Sequence, residues 1–168
     1  GPSNLTKTPN IFPELFDETL SILEDVCPNY TIFVKPHPTS INSKNEMKII
    51  KNIINKHPKI KIIITNLHPI VLSFRARFFI ANSFSTSFST ARLSNIPTIE
   101  YTDYNTEILK TTKNGSMRPD LVNYFFNRDR KKLKIKILEI INKNNSRKFE
   151  TDKSPLPNEI LSIINNKN

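Results

Sequence analysis

The side chains best suited to chemistry stand in two short stretches of the chain. Lys35-Pro36-His37-Pro38 ends an apolar run, and six hydroxyl residues lie among the eight residues from Ser83 to Thr90. A lysine ammonium is a point charge suited to phosphate, and a histidine can donate a hydrogen bond to an anionic oxygen. Both stretches therefore predict anion binding, provided that the fold brings them together.

The first stretch follows a predicted strand. Residues 30–34 are all β-branched or aromatic, a composition typical of a buried strand. Each proline keeps the residue before it out of the helical region, so Lys35 and His37 are expected on a stiff segment leaving the sheet. Open α/β sheets bind ligands at that edge. The alternative is a proline-rich exit loop without a binding role. The other two His-Pro pairs are assigned ordinary structural roles: His57-Pro58 ends a helix before a strand, and His68-Pro69 begins a short helix.

The second stretch leads from a predicted strand into a helix. Hydroxyls at a helix start cap free N–H groups, and the same N–H groups with the helix dipole attract anions. One serine or threonine satisfies a cap, so the surplus favours a phosphate site. The alternative is a capping run whose other hydroxyls bond to nearby backbone. The candidate binding residues of this stretch are Ser83, Ser85, Thr86, Ser87 and Thr90.

The elements that must position these residues alternate along the chain. Residues 60–65 form an unbroken apolar run, which predicts a strand buried on both faces. Alternating strands and helices predict an α/β fold, a Rossmann-like parallel sheet with helices on both faces. The two stretches should then converge on one pocket at its carboxyl edge. Strands are predicted at 30–35, 60–65, 77–82 and 97–101. Helices are predicted at 10–26, 44–56, 68–76, from the hydroxyl run through 93, at 120–126 and at 129–142.

The 168 residues suit one domain with short extensions. Gly1-Pro2-Ser3 looks like the remainder of a protease-cleavage site, so the natural chain is expected to extend upstream, and residues 1–9 are predicted to be a disordered start. Residues 10–143 form the predicted Rossmann-like lobe that carries both candidate anion-binding stretches. Residues 144–168 are predicted to be a polar linker followed by a short helix near 159–164.

Composition limits the partners and the compartment. The net charge of +10 favours anionic partners, namely nucleotides, nucleic acid, acidic glycans or an anionic membrane face, although the lysines are spread along the whole chain. The single Cys27 excludes an internal disulfide and is interpreted as a structural thiol. With two glycines there is no glycine-rich phosphate loop. No signal or membrane-spanning pattern is present, so a cytoplasmic location is predicted, with peripheral contact at the inner membrane face as a further option.

The order of these motifs resembles the C-terminal, donor-binding lobe of GT-B glycosyltransferases that build bacterial surface polysaccharides. KPHP follows a strand, and about 45 residues later come a strand, the hydroxyl run, a helix and Asn95-Ile96-Pro97. The likeness covers roughly residues 30–101. It is closest to the groups with an HP motif: sialyltransferases and polysialyltransferases, capsule Kdo transferases, and glycerophosphotransferases of the teichoic acid type.

This resemblance implies a role for each motif residue. In such enzymes the histidine of HP and the hydroxyls of the serine motif hold the phosphate and cytidine of a CMP- or CDP-activated donor. His37 would be the catalytic residue, with Lys35, Pro38 and the hydroxyl run binding the donor nucleotide, and no metal or other cofactor is implied. Many relatives carry Glu-Ala where this chain has Thr90-Ala91. That difference favours a CMP-linked donor or else marks a degenerate lobe.

The resemblance also implies that part of the enzyme is missing. The glycan acceptor and the general base belong to an N-terminal lobe without a counterpart here, and Glu24-Asp25 is interpreted as a solvated helix face. The chain alone is expected to bind a cytidine nucleotide and to transfer nothing. The alternatives are a basic nucleic-acid-binding module, disfavoured because aromatic and basic residues are not interleaved, and a non-catalytic GT-B-like lobe. The basic segment Arg128–Lys136 would face an acidic glycan or a membrane, or form a solvated helix face.

Overall fold

The computed structural model describes residues 11–151, over which helices and strands alternate. The predicted start at 1–9 and the predicted helix at 159–164 lie outside these residues. The elements are α1 (Phe12–Val26), β1 (Thr31–Val34), α2 (Pro38–Ile41), α3 (Lys44–Ile54), β2 (Lys61–Ile64), α4 (Pro69–Ser73), β3 (Phe79–Ala81), α5 (Ser87–Leu93), β4 (Thr98–Thr102), α6 (Thr106–Thr111), β5 (Tyr124–Asn127) and α7 (Arg130–Thr151).

The five strands are parallel within two small sheets. β1 pairs with β2, with Val34 opposite Ile64, and β3, β4 and β5 pair in that order, with Ile99 opposite Tyr124. The predicted α/β fold with a Rossmann-like parallel arrangement is thus confirmed, although its strands form two hydrogen-bonded sheets. Apolar side chains of both sheets pack into one core with α1, α3 and α7.

Helices cover both faces of the three-stranded sheet, as predicted. β4 is fully buried, and side chains alternate between its two faces because a strand has a period of two. Ile99 and Tyr101 join the core beneath α1, whereas the alternate residues Thr98, Glu100 and Thr102 point the other way. On that side α5 packs against β4 and buries Phe88 and Ala91.

Contacts with helix α1 show that the strands of both sheets run in the same direction relative to it. Asn82, directly after β3, donates to the Leu15 carbonyl, and Arg128, directly after β5, pairs with carboxylates in the first half of α1. The backbone N–H of Lys59, just before β2, donates instead to Glu24 in the second half of the helix. β1 begins four residues after α1 ends. The strands of both sheets therefore run antiparallel to α1, and their carboxyl ends lie toward its start.

Three predictions about the elements were wrong. Residues 124–127 form β5 and not part of a helix, because the aromatic run Tyr124-Phe125-Phe126 pairs along β4. β2 is not buried on both faces, since Lys61 is exposed and its isoleucines are half-buried where β1 is its partner strand. Helix α7 continues to Thr151, through the first part of the predicted linker.

Two further features of the elements bear on function. Burial raises the pKa of the Cys27 thiol to about 11, which agrees with a structural role for this residue. Among residues 11–151, no helix combines the length and the apolar character that crossing a bilayer requires.

Candidate functional site

The KPHP motif lies directly after β1, with His37 at the start of α2. Pro36 is buried, Lys35 is half-buried, and His37 is exposed. The Nδ1 atom of His37 accepts a hydrogen bond from the Thr39 backbone N–H at 3.3 Å and lies 2.8 Å from the Thr39 hydroxyl. Because Nδ1 acts as the acceptor, the neutral ring carries its proton on Nε2. His37 therefore offers an outward Nε2–H that could donate to an anion.

His68 repeats this arrangement at the neighbouring strand. It follows β2, precedes proline, starts α4, and accepts from the Ile70 backbone N–H through Nδ1 at 3.3 Å. The predicted helix-end role of His68 is confirmed. His37 has the same local role, so cap geometry alone does not separate the two residues. The two motifs differ two positions before the histidine, where Lys35 precedes His37 and Asn66 precedes His68.

The hydroxyl run spans the turn after β3 and the first four residues of α5. The Ser85 hydroxyl accepts from the Ser87 backbone N–H at 3.3 Å, and the Ser89 hydroxyl donates to the Thr86 carbonyl at 2.7 Å. These two contacts meet the local needs of the helix start. Within residues 11–151 the remaining hydroxyls of the run have no hydrogen-bond partner in the structure, namely those of Ser83, Thr86, Ser87 and Thr90. The predicted surplus of hydroxyls over capping needs is therefore present.

A buried polar network behind the run holds it in place. Glu100 is fully buried and accepts hydrogen bonds from the hydroxyls of Tyr104 and Ser116, the latter at 2.5 Å. The backbone N–H of Phe84, in the middle of the run, acts on the Tyr104 hydroxyl and opposes the rise of its pKa. Burial raises the pKa of Glu100, and burial together with the Glu100 contact raises the pKa of Tyr104. The network joins β4 to Tyr104 and Ser116 beneath the run, and no local sequence pattern predicts it.

Asn82 provides a second anchor at the start of the run. Its side-chain NH₂ donates to the Thr19 hydroxyl at 2.8 Å, to the Tyr101 carbonyl at 3.2 Å and to the Leu15 carbonyl at 3.4 Å. These contacts join the end of β3 to α1 and to β4. The backbone from which the hydroxyl run departs is therefore fixed on two sides.

Acidic residues of α1 serve as structural partners. Glu24 is not part of a solvated face, because its carboxylate binds the buried His57 at 3.0 Å and the Lys59 backbone N–H at 2.9 Å. These contacts lower the pKa of Glu24, with the His57 hydrogen bond as the largest cause. The other ring nitrogen of His57 lies 2.7 Å from Asp17. His57 thus ties the end of α3 to α1, a stronger structural role than the predicted helix end.

The predicted basic segment is largely neutralised by acids. Arg128 precedes α7 and contacts three carboxylates, of which Glu18 lies at 2.9 Å and Asp103 at 3.4 Å. These carboxylates raise the pKa of Arg128 further. On α7 itself, Lys132, Lys134 and Lys136 each pair with an acid. Its apolar Leu133, Ile137 and Ile140 face the core.

The two predicted binding stretches lie at the same end of the strands, and no hydrogen bond joins them in the described residues. Within the described part of the chain, the hydrogen bonds of His37 go to Thr39 alone. A common pocket for His37 and Ser85–Ser87 therefore stays a prediction. A groove of about 320 Å³ lies where β3 and β4 begin, and none of the predicted site residues lines it.

Comparison with known proteins gives no independent assignment. The chain has no significant match to a protein-family model, to a curated protein or to a solved structure.

Proposed function

We propose that this chain is the donor-nucleotide-binding lobe of a glycosyltransferase that moves a sugar from a CMP-activated donor to a surface-polysaccharide acceptor. The observation that carries the proposal is the placement of the two motifs. KPHP follows β1 and the hydroxyl run follows β3, and both strands end toward the start of α1. Parallel α/β folds bind nucleotides at the carboxyl ends of their strands. The resemblance of the motifs to GT-B enzymes supplies the sugar-transfer chemistry.

In the proposed enzyme, the donor phosphate would lie against the Lys35 ammonium, the Nε2–H of His37 and the free hydroxyls after β3. Negative charge grows on this phosphate as its bond to the sugar breaks. Donors that are fixed before the reaction stabilise that charge without reorganising. The two prolines of the motif reduce the freedom that Lys35 and His37 lose on binding. These side chains neutralise the leaving phosphate in the proposed mechanism, and the acceptor and the general base would come from another lobe.

The decisive experiment is an NMR titration of the chain with CMP, CDP, UDP and GDP. We expect CMP or CDP to shift the amide signals of residues 35–38 and 83–90. His37→Ala should weaken binding about tenfold or more, the effect of losing one hydrogen bond to a charged group. His68→Ala is the matched control, because it removes the same cap from the neighbouring strand and should leave affinity unchanged. Indifference to all four nucleotides, or equal loss from both variants, would contradict the proposal.

Two alternatives predict different outcomes in related assays. A nucleic-acid-binding module would bind oligonucleotides with an affinity that falls steeply as salt is added. A non-catalytic lobe would bind no nucleotide even when joined to an N-terminal half. Both remain distinguishable from donor binding, which requires a preference among the four nucleotides and a response at His37.

A further inference from the structure

The net positive charge of this chain is concentrated in one stretch of the sequence. Residues 47–99 contain no aspartate or glutamate and eight lysines and arginines, so this third of the chain carries eight of the ten units of net positive charge. The stretch includes β2, α4, β3 and α5. It is the acidic residues, and not the basic ones, that are unevenly distributed.

The most exposed apolar side chains lie within this acid-free stretch. Helices α4 and α5 pack together, and the Ser94 hydroxyl donates to the Ser73 hydroxyl at 3.0 Å where the two helices end. Phe74 follows Ser73 and is 81% exposed, and Leu93 precedes Ser94 and is 89% exposed. No other large apolar side chain in the described residues is more than 52% exposed. Exposed apolar side chains that adjoin one another, as at these two helix ends, are typical of a surface that contacts a protein or a membrane.

Unpaired cations lie close to these two side chains in the sequence. Arg75 and Arg77 follow Phe74 closely, and Arg92 precedes Leu93. None of the three arginines forms an ion pair within residues 11–151. The lysines of α7 differ from them, because an acid faces each of Lys132, Lys134 and Lys136. We name the surface formed by Phe74, Leu93 and the three arginines the α4–α5 face.

A cationic groove borders the α4–α5 face. It measures about 320 Å³ and is lined by Arg77 and Lys143 and by Lys136, whose ammonium pairs with Glu139 in the same wall. Its wall also includes Asn95, which directly follows Ser94. The volume is within the usual range for a small-molecule site, and arginine is well suited to binding phosphate.

We propose that the α4–α5 face docks on a membrane that contains anionic phospholipids. Phe74 and Leu93 would enter the region between headgroups and acyl chains, while the arginines and the bordering groove bind lipid phosphates. Peripheral proteins bind membranes by this combination of inserted apolar groups and attraction to anionic lipid. The face lies where β3 and β4 begin, so docking leaves the carboxyl ends of the strands accessible. The inference does not depend on the proposed function.

Charge argues against two other occupants of the face. A second copy would bring its own arginines against these arginines, and like charges in contact are repelled. Single-stranded nucleic acid would be attracted by the cations, but it needs aromatic surfaces for base stacking, and Phe74 is the one aromatic side chain on the α4–α5 face. An anionic membrane satisfies both the apolar and the cationic residues.

Vesicle flotation of the whole chain tests the proposal. We expect flotation with vesicles of phosphatidylcholine and phosphatidylglycerol, none with phosphatidylcholine alone, and weaker binding as salt is added. The double variant Phe74→Ser with Leu93→Ser should lower the partition coefficient roughly tenfold or more. Arg75→Gln and Arg92→Gln should each lower it roughly fivefold. Because all four side chains are exposed, thermal unfolding should stay the same, which separates lost binding from lost folding.

Ile135→Ser is the matched control, because Ile135 is 52% exposed on α7 among lysines that are paired with acids. It should leave flotation unchanged. Equal binding to both kinds of vesicle, or loss with Ile135→Ser but not with Phe74→Ser and Leu93→Ser, would overturn the proposal. So would a stable dimer in light scattering that the double variant dissociates, or oligonucleotide binding that depends on the α4–α5 face in place of vesicle binding.

Discussion

Replacing Tyr104 by phenylalanine should reveal the energetic weight of the network behind the hydroxyl run. The change keeps the buried ring and removes one hydroxyl. That hydroxyl donates to the buried Glu100. Losing a hydrogen bond to a buried carboxyl group, which is left without this donor, should cost about 3 kcal/mol of unfolding free energy. For a chain of this size the midpoint of thermal unfolding should fall by roughly 6–12 °C.

Urea unfolding followed by far-UV circular dichroism measures this loss, provided that the slope against urea is unchanged. Tyr30→Phe is the control, since the Tyr30 hydroxyl has no hydrogen-bond partner in the described residues and its removal should cost less than about 0.5 kcal/mol. In amide spectra, Tyr104→Phe should also shift the signal of Phe84. A Tyr104→Phe variant as stable as Tyr30→Phe would refute the network.

The titration of Glu100 gives the same network a pH signature. Burial raises the pKa of Glu100 above its ordinary value of 4.5, so the folded chain holds this proton more tightly than the unfolded chain does. Stability from this group is then greatest below pH 4.5 and falls as pH rises toward the folded pKa. Glu100→Gln cannot titrate, so its stability relative to the parent chain should increase across that window. Parallel pH profiles would contradict this reasoning.

Three further changes test the structural contacts around α1. Glu24→Gln should make unfolding less sensitive to acid, because the lowered pKa of Glu24 gives stability that the parent chain loses as pH falls below 4.5; unfolding midpoints compared at pH 7 and in acid would show this. Asn82→Ala should cost about 2 kcal/mol in urea unfolding, since it removes three contacts that join β3 to α1 and β4. Arg128→Met should destabilise the chain at low salt and less at high salt, because it leaves three carboxylates facing one another. A loss that did not depend on salt would point to packing instead.

Most elements near the candidate site were predictable because their signals are local. The Ser43 hydroxyl caps α3 by accepting from the Glu46 backbone N–H. Proline stands at the first turns of α1 and α4, a position that favours a helix start. β1 and β2 are short apolar runs between turn residues. Each of these elements can be read within a window of a few residues.

The elements and contacts that could not be predicted depend on distant parts of the chain. β5 is a strand because its aromatic residues find β4 as a partner, more than twenty residues earlier in the sequence. The short helix α6, capped by Asn105, lies between the predicted strand at 97–101 and the predicted helix at 120–126, where no element is predicted. The sequence predicts a solvated Glu24, because no residue near it in the sequence indicates that His57 packs against it. A local pattern carries no information on such pairings.

The similarity between His37 and His68 determines how the nucleotide titration is interpreted. Both histidines start a one-turn helix after adjacent parallel strands, and both accept a backbone hydrogen bond through Nδ1. If an outward Nε2–H were sufficient for anion binding, His68 would bind as well as His37. A preference for His37 must therefore come from its surroundings, and Lys35 is the charged side chain that only one of the two turns possesses. Lys35→Gln should then weaken the binding of a nucleotide phosphate at His37, and it should make the two histidine substitutions equivalent.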